Sequence, residues 1–204
     1  MQHYSLPTRL LDITTNPLIA LFFSCSKGKE PRENGEVVVI RIPKIEIKYF
    51  DSDTVSVISN ISRRPSDFSL PPENGDIKVF NNNQKIRFLL HEIKKEKPYF
   101  EPHINPHHLE SVVCVKPKLN NARIIRQDGA FMLFGINRKK TSPAILLPGF
   151  TATTQRRRIL INTREKTNIL RQLEAFGITK ATIYPEIERV AEHIKSVYKS
   201  NVES

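Results

Sequence analysis

The sequence predicts an α+β domain: one domain with a mixed or split β-sheet flanked by helices. Three features predict it. Short runs rich in β-branched residues, "EVVVIRI" and "ESVVCVKP", are bounded by turn residues, as strands are. Segments such as "QKIRFLLHEIKKEK" and "NTREKTNILRQLEAFG" carry apolar residues at helical spacing. No internal repeat or low-complexity linker divides the 204 residues, and the stripes on the late helices need a sheet to cover them.

Taken in order, the opening "SLPTRLLDITT" reads as a polar extended segment that feeds a core helix. Asn16 can cap that helix, Pro17 suits its first position, and Gly28 lies just past its expected end. Leu18, Ile19, Leu21, Phe22 and Phe23 leave it no polar face, so it belongs in a core. "EVVVIRI" is expected to be a buried strand. A helix capped near Asp51 to Asp53 should stop before Pro65, and Asp67 to Asp76 is loop, marked by Pro71-Pro72 and Asn74-Gly75. Ile86, Leu89, Leu90 and Ile93 then share one helical face. "FEPHINPHHL" is irregular and "ESVVCVKP" a strand. "ARIIRQDGAFMLFG" is a turn or short helix followed by a strand, and "AILLP" and "RRRILIN" are two more strand candidates. Asn162, three residues before Glu165, approximates a capping box for a helix that closes at Gly177. Its stripe is Ile169, Leu170, Leu173 and Phe176. A last helix from Pro185 aligns Ile187, Val190, Ala191, Ile194 and Tyr198.

Composition narrows the function classes. Thirty-two Lys and Arg against 21 Asp and Glu give a net charge of +11, which favours phosphate-bearing partners: nucleic acid, a dinucleotide or another polyanion. The cations are scattered, with short clusters at Arg63-Arg64, Lys94-Lys95, Arg138–Lys140 and Arg156–Arg158, so a solvated surface is the alternative. Cys25 and Cys114 lie in apolar runs, which suggests reduced thiols in a reducing compartment. The apolar run from Pro17 to Cys25 is too short to span a bilayer, and no signal-peptide pattern opens the chain. A cytoplasmic protein without membrane contact is expected. No Gly-rich phosphate loop, G-x-S-x-G or H-E-x-x-H occurs, so neither a nucleotide hydrolase nor a serine hydrolase is supported. His103, His107, His108 and Cys114 match no compact zinc spacing and are rejected as a metal site.

The stretch "QHYSLPTRLLDITTNPLIALFFSC" resembles the central signature of the FRG-domain family, Q-H-[YF]-G-x-P-T-R-L-L-D-[WY]-T-x-N-P-x-x-A-L-[YF]-F. "SDTVSVISNIS", "EKPYFEP", "VVCVKPKLNNARIIRQDGAFMLFG" and, more loosely, "YPEIERVAEHIK" resemble it too. Ser5, Ile13 and Asp128 depart from the pattern, and the Phe-Arg-Gly motif that names the family is absent. The resemblance implies an FRG-like domain over residues 1–199 lacking its N-terminal portion, with a disordered tail at 200–204. A sheet cut in this way is expected to self-associate through an exposed edge. The family layout is in turn similar to that of ADP-ribosyltransferases, which makes NAD the cofactor implied and leaves the chain either a transferase-like domain, impaired by truncation, or a basic interaction module without catalysis.

Two constellations follow. In the transferase-like reading Arg9 binds pyrophosphate, Thr8, Asp12 and Asn16 complete the cofactor site, and His3 and Tyr4 act beside them. Gln127, or Asp128, hydrogen-bonds a ribose hydroxyl and stabilises a developing oxocarbenium charge, with Gly129 allowing the turn. The structural alternative makes Arg9 and Asp12 a buried ion pair, has Asp12 or Thr14 help to cap the helix, and reads Gln127-Asp128-Gly129 as a plain turn.

Overall fold

The computed structural model describes residues 8–26, 33–72, 75–146, 150 and 159–185. Within them the chain runs β1 (Leu10–Thr14), α1 (Pro17–Cys25), β2 (Gly35–Val37), β3 (Ile47–Tyr49), α2 (Asp53–Asn60), α3 (Ile77–Asn82), α4 (Gln84–Glu96) and α5 (Pro106–Leu109). It continues through β4 (Val112–Lys116), α6 (Ala122–Arg126), β5 (Gly129–Phe134), β6 (Ile136–Asn137), β7 (Lys139–Pro143), β8 (Ile159–Ile161), α7 (Lys166–Ala175) and α8 (Lys180–Ile183). The fold is α+β. One mixed sheet has the order β1-β5-β4-β3, and β2-β8 and β6-β7 form two-stranded sheets. β4 pairs antiparallel with β5 and parallel with β3.

The chain divides into two compact units, Met1–Asp12 with Ile42–Pro117 and Phe131–Phe150, and Ile13–Arg41 with Lys118–Ala130 and Thr151–Ser204. In the first, α2 and α4 lay Val57, Ile58, Leu89 and Ile93 against Val113 of β4 and Leu133 of β5 in one buried cluster. The α4 stripe follows its spacing: Ile86, Leu89 and Ile93 are buried, and Leu90 packs against them half-covered. Ser52 caps α2 through the Val55 N–H, and the turn after α2 ends at Arg64, just before Pro65. Gly135 permits a close approach, since a Cβ there would lie 2.1 Å from the Leu109 carbonyl oxygen. In the second unit Ile19 and Phe22 of α1 meet Leu173 of α7 and Ile183 of α8. β2 pairs antiparallel with β8, and Gly35 lets β2 approach α1, where a Cβ would sit 2.2 Å from the Ser24 carbonyl oxygen.

Several expectations need correction. "EVVVIRI" is not a buried strand: β2 ends at Val37, and Val38 and Val39 are 54% and 44% exposed. Asn105 caps a short helix, α5, inside the segment expected to be irregular. "AILLP" forms no strand over its described residues 144–146. The Asn162 side chain accepts from the Arg164 N–H, but the N-cap of α7 is Glu165 and no side chain caps it. Gly177 does close α7, at φ +75°. The expected helix beyond Pro185, Gly28, residues 156–158 and the tail at 200–204 lie outside the described residues.

Candidate functional site

In the second unit a polar seam joins the start of α1 to the turn before β5. Asn16 serves both sides of it. Its Oδ1 accepts from the Leu18 N–H at 3.0 Å, as the sequence predicts for an N-cap, while its Nδ2 donates to Asp128 Oδ2 at 3.0 Å. The Thr14 hydroxyl donates to the Gln127 carbonyl at 2.7 Å and accepts from the Asn16 N–H. The Thr15 N–H donates to the Asp128 carbonyl at 3.0 Å. Asp128 holds φ +44°, a left-handed conformation that Asp tolerates better than most residues. The Gln127-Asp128-Gly129 turn is therefore tied down by the helix-start residues. Its carboxylate lies by the N-cap of α1, where the helix dipole favours negative charge. The Gln127 amide is engaged as well, donating from Nε2 to the Ile183 carbonyl at 3.2 Å. Beside that contact the Arg123 guanidinium lies 5.0 Å from the centroid of the Tyr184 ring.

In the first unit Arg9 turns inward. Its Nη1 donates to the Gly135 carbonyl at 3.2 Å and its Nη2 to the Lys140 carbonyl at 2.7 Å. Burial lowers its pKa from the ordinary value, yet an arginine so placed keeps its charge. Thr8 donates to the Leu10 carbonyl. Asp12 is exposed, and among the described residues it forms no ion pair with Arg9, so the buried pair allowed by the sequence is not made. The reason is geometric. Residues three apart in an extended segment face opposite ways, and Arg9 finds backbone oxygens on its own side.

The structure thus joins Asn16 to Asp128 and Thr14 to Gln127, and puts Thr8, Arg9 and Asp12 in the other unit. His3 and Tyr4 lie outside the described residues. Among the described residues no group of three or more His, Cys, Asp or Glu side chains is placed to hold a metal. Cys25 and Cys114 are free and buried, and burial raises both thiol pKa values. A cavity of about 100 Å³ lined by Glu46, Glu110, Ser111, Val112, Ile145 and Phe150 includes none of the predicted site residues, and it is small beside the roughly 300–1,000 Å³ of ordinary ligand pockets.

Sequence reasoning missed two cations that accompany Arg9. Lys140 Nζ donates to the carbonyls of Ser62 and Arg64, and the Arg64 guanidinium stands 5.6 Å from the Phe88 ring centroid. Both belong to basic clusters visible in the sequence, but the pairing spans 76 positions and has no local signal.

The family model of the FRG domain matches residues 1–33. The matched segment, about a sixth of the chain, holds the Thr14–Asn16 side of the seam. No curated protein and no solved structure matches.

Proposed function

We propose that this chain is a phosphate-directed binding module whose partner is a nucleic acid or a comparable polyanion. The observation that carries the reading is the charge of +11, a surplus that remains after every internal acidic group is counted. The described ion pairs take up Arg63, Lys95, Lys97 and Arg138, and the excess cations are available to release counterions from a phosphate backbone. Titrating duplex and single-stranded oligonucleotides at two ionic strengths tests the reading. Affinity should fall steeply with salt in both cases, and absence of binding at low salt overturns it.

One observation favours a second reading. The left-handed Asp128, anchored by Asn16 beside the start of α1, has the geometry of a turn held for a purpose, since such conformations cluster at functional sites. In that reading the domain is an ADP-ribosyltransferase-like binder of NAD, with Gln127 or Asp128 meeting a ribose hydroxyl and Asn16 keeping the turn in place. It ranks second because the Gln127 amide and two Arg9 donors already bond to backbone carbonyls. Calorimetry with NAD tests it: heat lost in Asp128→Asn, which tolerates the left-handed turn and keeps an acceptor oxygen for Asn16, supports this reading, and no heat from the intact chain removes it.

A further inference from the structure

We propose that Arg9, Arg64 and Lys140 of the first unit form a binding site for a single phosphate group. The proposal rests on the phosphate-directed reading above and gives it an address.

The three residues come together from distant parts of the chain. Arg9 precedes β1, Arg64 follows the turn after α2, and Lys140 lies in β7. Arg9 Nη2 bonds to the backbone carbonyl of Lys140, and Lys140 Nζ bonds to the backbone carbonyl of Arg64. Each contact fixes one cationic residue on the main chain of the next. All three residues are half-buried.

Their donors are only partly used. An arginine has five N–H donors and a lysine three. Two of those on Arg9 go to carbonyls, as do two of those on Lys140. Arg64 Nε is buried and has no hydrogen-bond partner. A buried donor left unmet is uncommon and calls for a cause. The Phe88 ring centroid lies 5.6 Å from the guanidinium, a contact that uses none of its N–H groups.

The charge is also unmatched. Among the described residues no carboxylate forms an ion pair with any of the three. Glu92 feels the Arg64 charge, but its close partners are Arg63 and Lys95, and Glu96 pairs with Arg63. Burial lowers the Lys140 pKa, and the neighbouring Arg9 and Arg64 charges lower it further. The arginines cannot relieve the repulsion by losing protons. An oxyanion can: it brings negative charge and several acceptor oxygens at once, and two guanidiniums with an ammonium suit a phosphate in particular.

The test uses the whole chain and inorganic phosphate as the probe, read by calorimetry and by thermal shift at low ionic strength. Wild type should bind phosphate saturably and melt higher with it. Arg64→Gln should weaken binding at least tenfold while keeping a native melt without phosphate, and Arg64→Lys, which keeps the charge and loses the fork, should fall between. Arg126→Gln, an exposed cation of the other unit, should bind as wild type does. If Arg64→Gln fails to fold, Arg64→Lys alone carries the comparison, with weaker binding expected. No saturable binding to wild type, or equal binding in the Arg64 variants, overturns the site. An oligonucleotide arm separates this from the broader reading. Oligonucleotide binding without phosphate binding overturns the site and leaves the reading; loss of both overturns both. Competition by a 5′-phosphorylated oligonucleotide above that of its unphosphorylated twin would identify a terminal phosphate as the source, and equal competition a backbone phosphate.

Discussion

The two units of this chain are held by different means. The first encloses an apolar cluster in which Val57, Ile58, Ile61, Leu89, Ile93, Ile104 and Leu109 have no exposed surface. In the second, the described buried cluster is Ile19, Phe22, Leu173 and Ile183, joined by half-covered neighbours and by the polar seam from Thr14 to Asn16 onto Gln127 and Asp128. Among the described residues, one unit relies on packing and the other leans on caps and turns. The difference is instructive, because packing writes a periodic pattern into a sequence, whereas a polar seam writes a motif.

The same substitution in each unit tests the contrast most strongly. Leu89→Ala should cost toward the upper end of about 2–5 kcal/mol, because a wholly enclosed site cannot collapse around the cavity. Leu173→Ala should fall toward the lower end of that range, since its neighbours are partly exposed and can close in. Urea midpoints at constant slope measure both. Equal losses would break the comparison.

Glycine replacements sharpen it next. Gly135→Ala and Gly35→Ala both drive a Cβ into a carbonyl oxygen, of Leu109 and of Ser24 respectively. Overpacking of this kind costs about 1–3 kcal/mol. Gly135→Ala should be the worse, because Leu109 is fully buried, while Ser24, which Gly35 packs against, is half-buried. A reversed order in thermal melts would show that β2 is held as tightly as the central sheet.

The polar seam has its own test. Asn16→Ala removes the cap on Leu18 and the tie to Asp128, and loss of such a cap costs about 0.5–2 kcal/mol. The effect should be local. Amide exchange should quicken at Leu18 and along α1 while α2 and α4 stay protected, and uniform quickening would mean that the two units unfold as one.

How far the sequence could be read follows the same division. The α4 stripe of Ile86, Leu89 and Ile93 was legible because helical spacing repeats over thirteen residues. The Asn16 cap was legible because an Asn before a Pro and an apolar run signals a helix start. β3 was not foreseen: it has three residues and pairs in parallel with β4, so its partner is far off in sequence. "EVVVIRI" misled for the converse reason, since strand propensity expresses packing against partners and Val38 and Val39 have little to pack on. At the candidate sites, Asn16, Gln127 and Asp128 were each marked by motif, but the bond between Asn16 and Asp128 spans 112 positions. Arg64 and Lys140 carried no motif, and only tertiary structure unites them with Arg9.

The smallest expected effect is a pH dependence confined to the first unit. His108 is half-buried next to α2 and β3, and burial holds its pKa below the ordinary value. Lys48 and His107 lower it further, while Asp53 and Glu46 oppose them. Over the window between the ordinary His pKa of about 6.5 and the lower folded value, the unfolded chain takes up a proton that the folded chain refuses. Stability therefore rises with pH through that window and is lost as the pH falls across it. Glu92, whose pKa is also lowered by its lysine and arginine neighbours, loses its contribution only below the ordinary carboxylate range, so a titration from about pH 7.5 to about pH 5 isolates the imidazole. Melts in that range should shift downward with acid, with protection near α5 and β4 falling before protection near α1. His108→Gln should flatten the profile. A wild-type melt independent of pH there would show that the imidazole protonates freely in the folded chain, and the enclosure of the first unit would then stop short of α5.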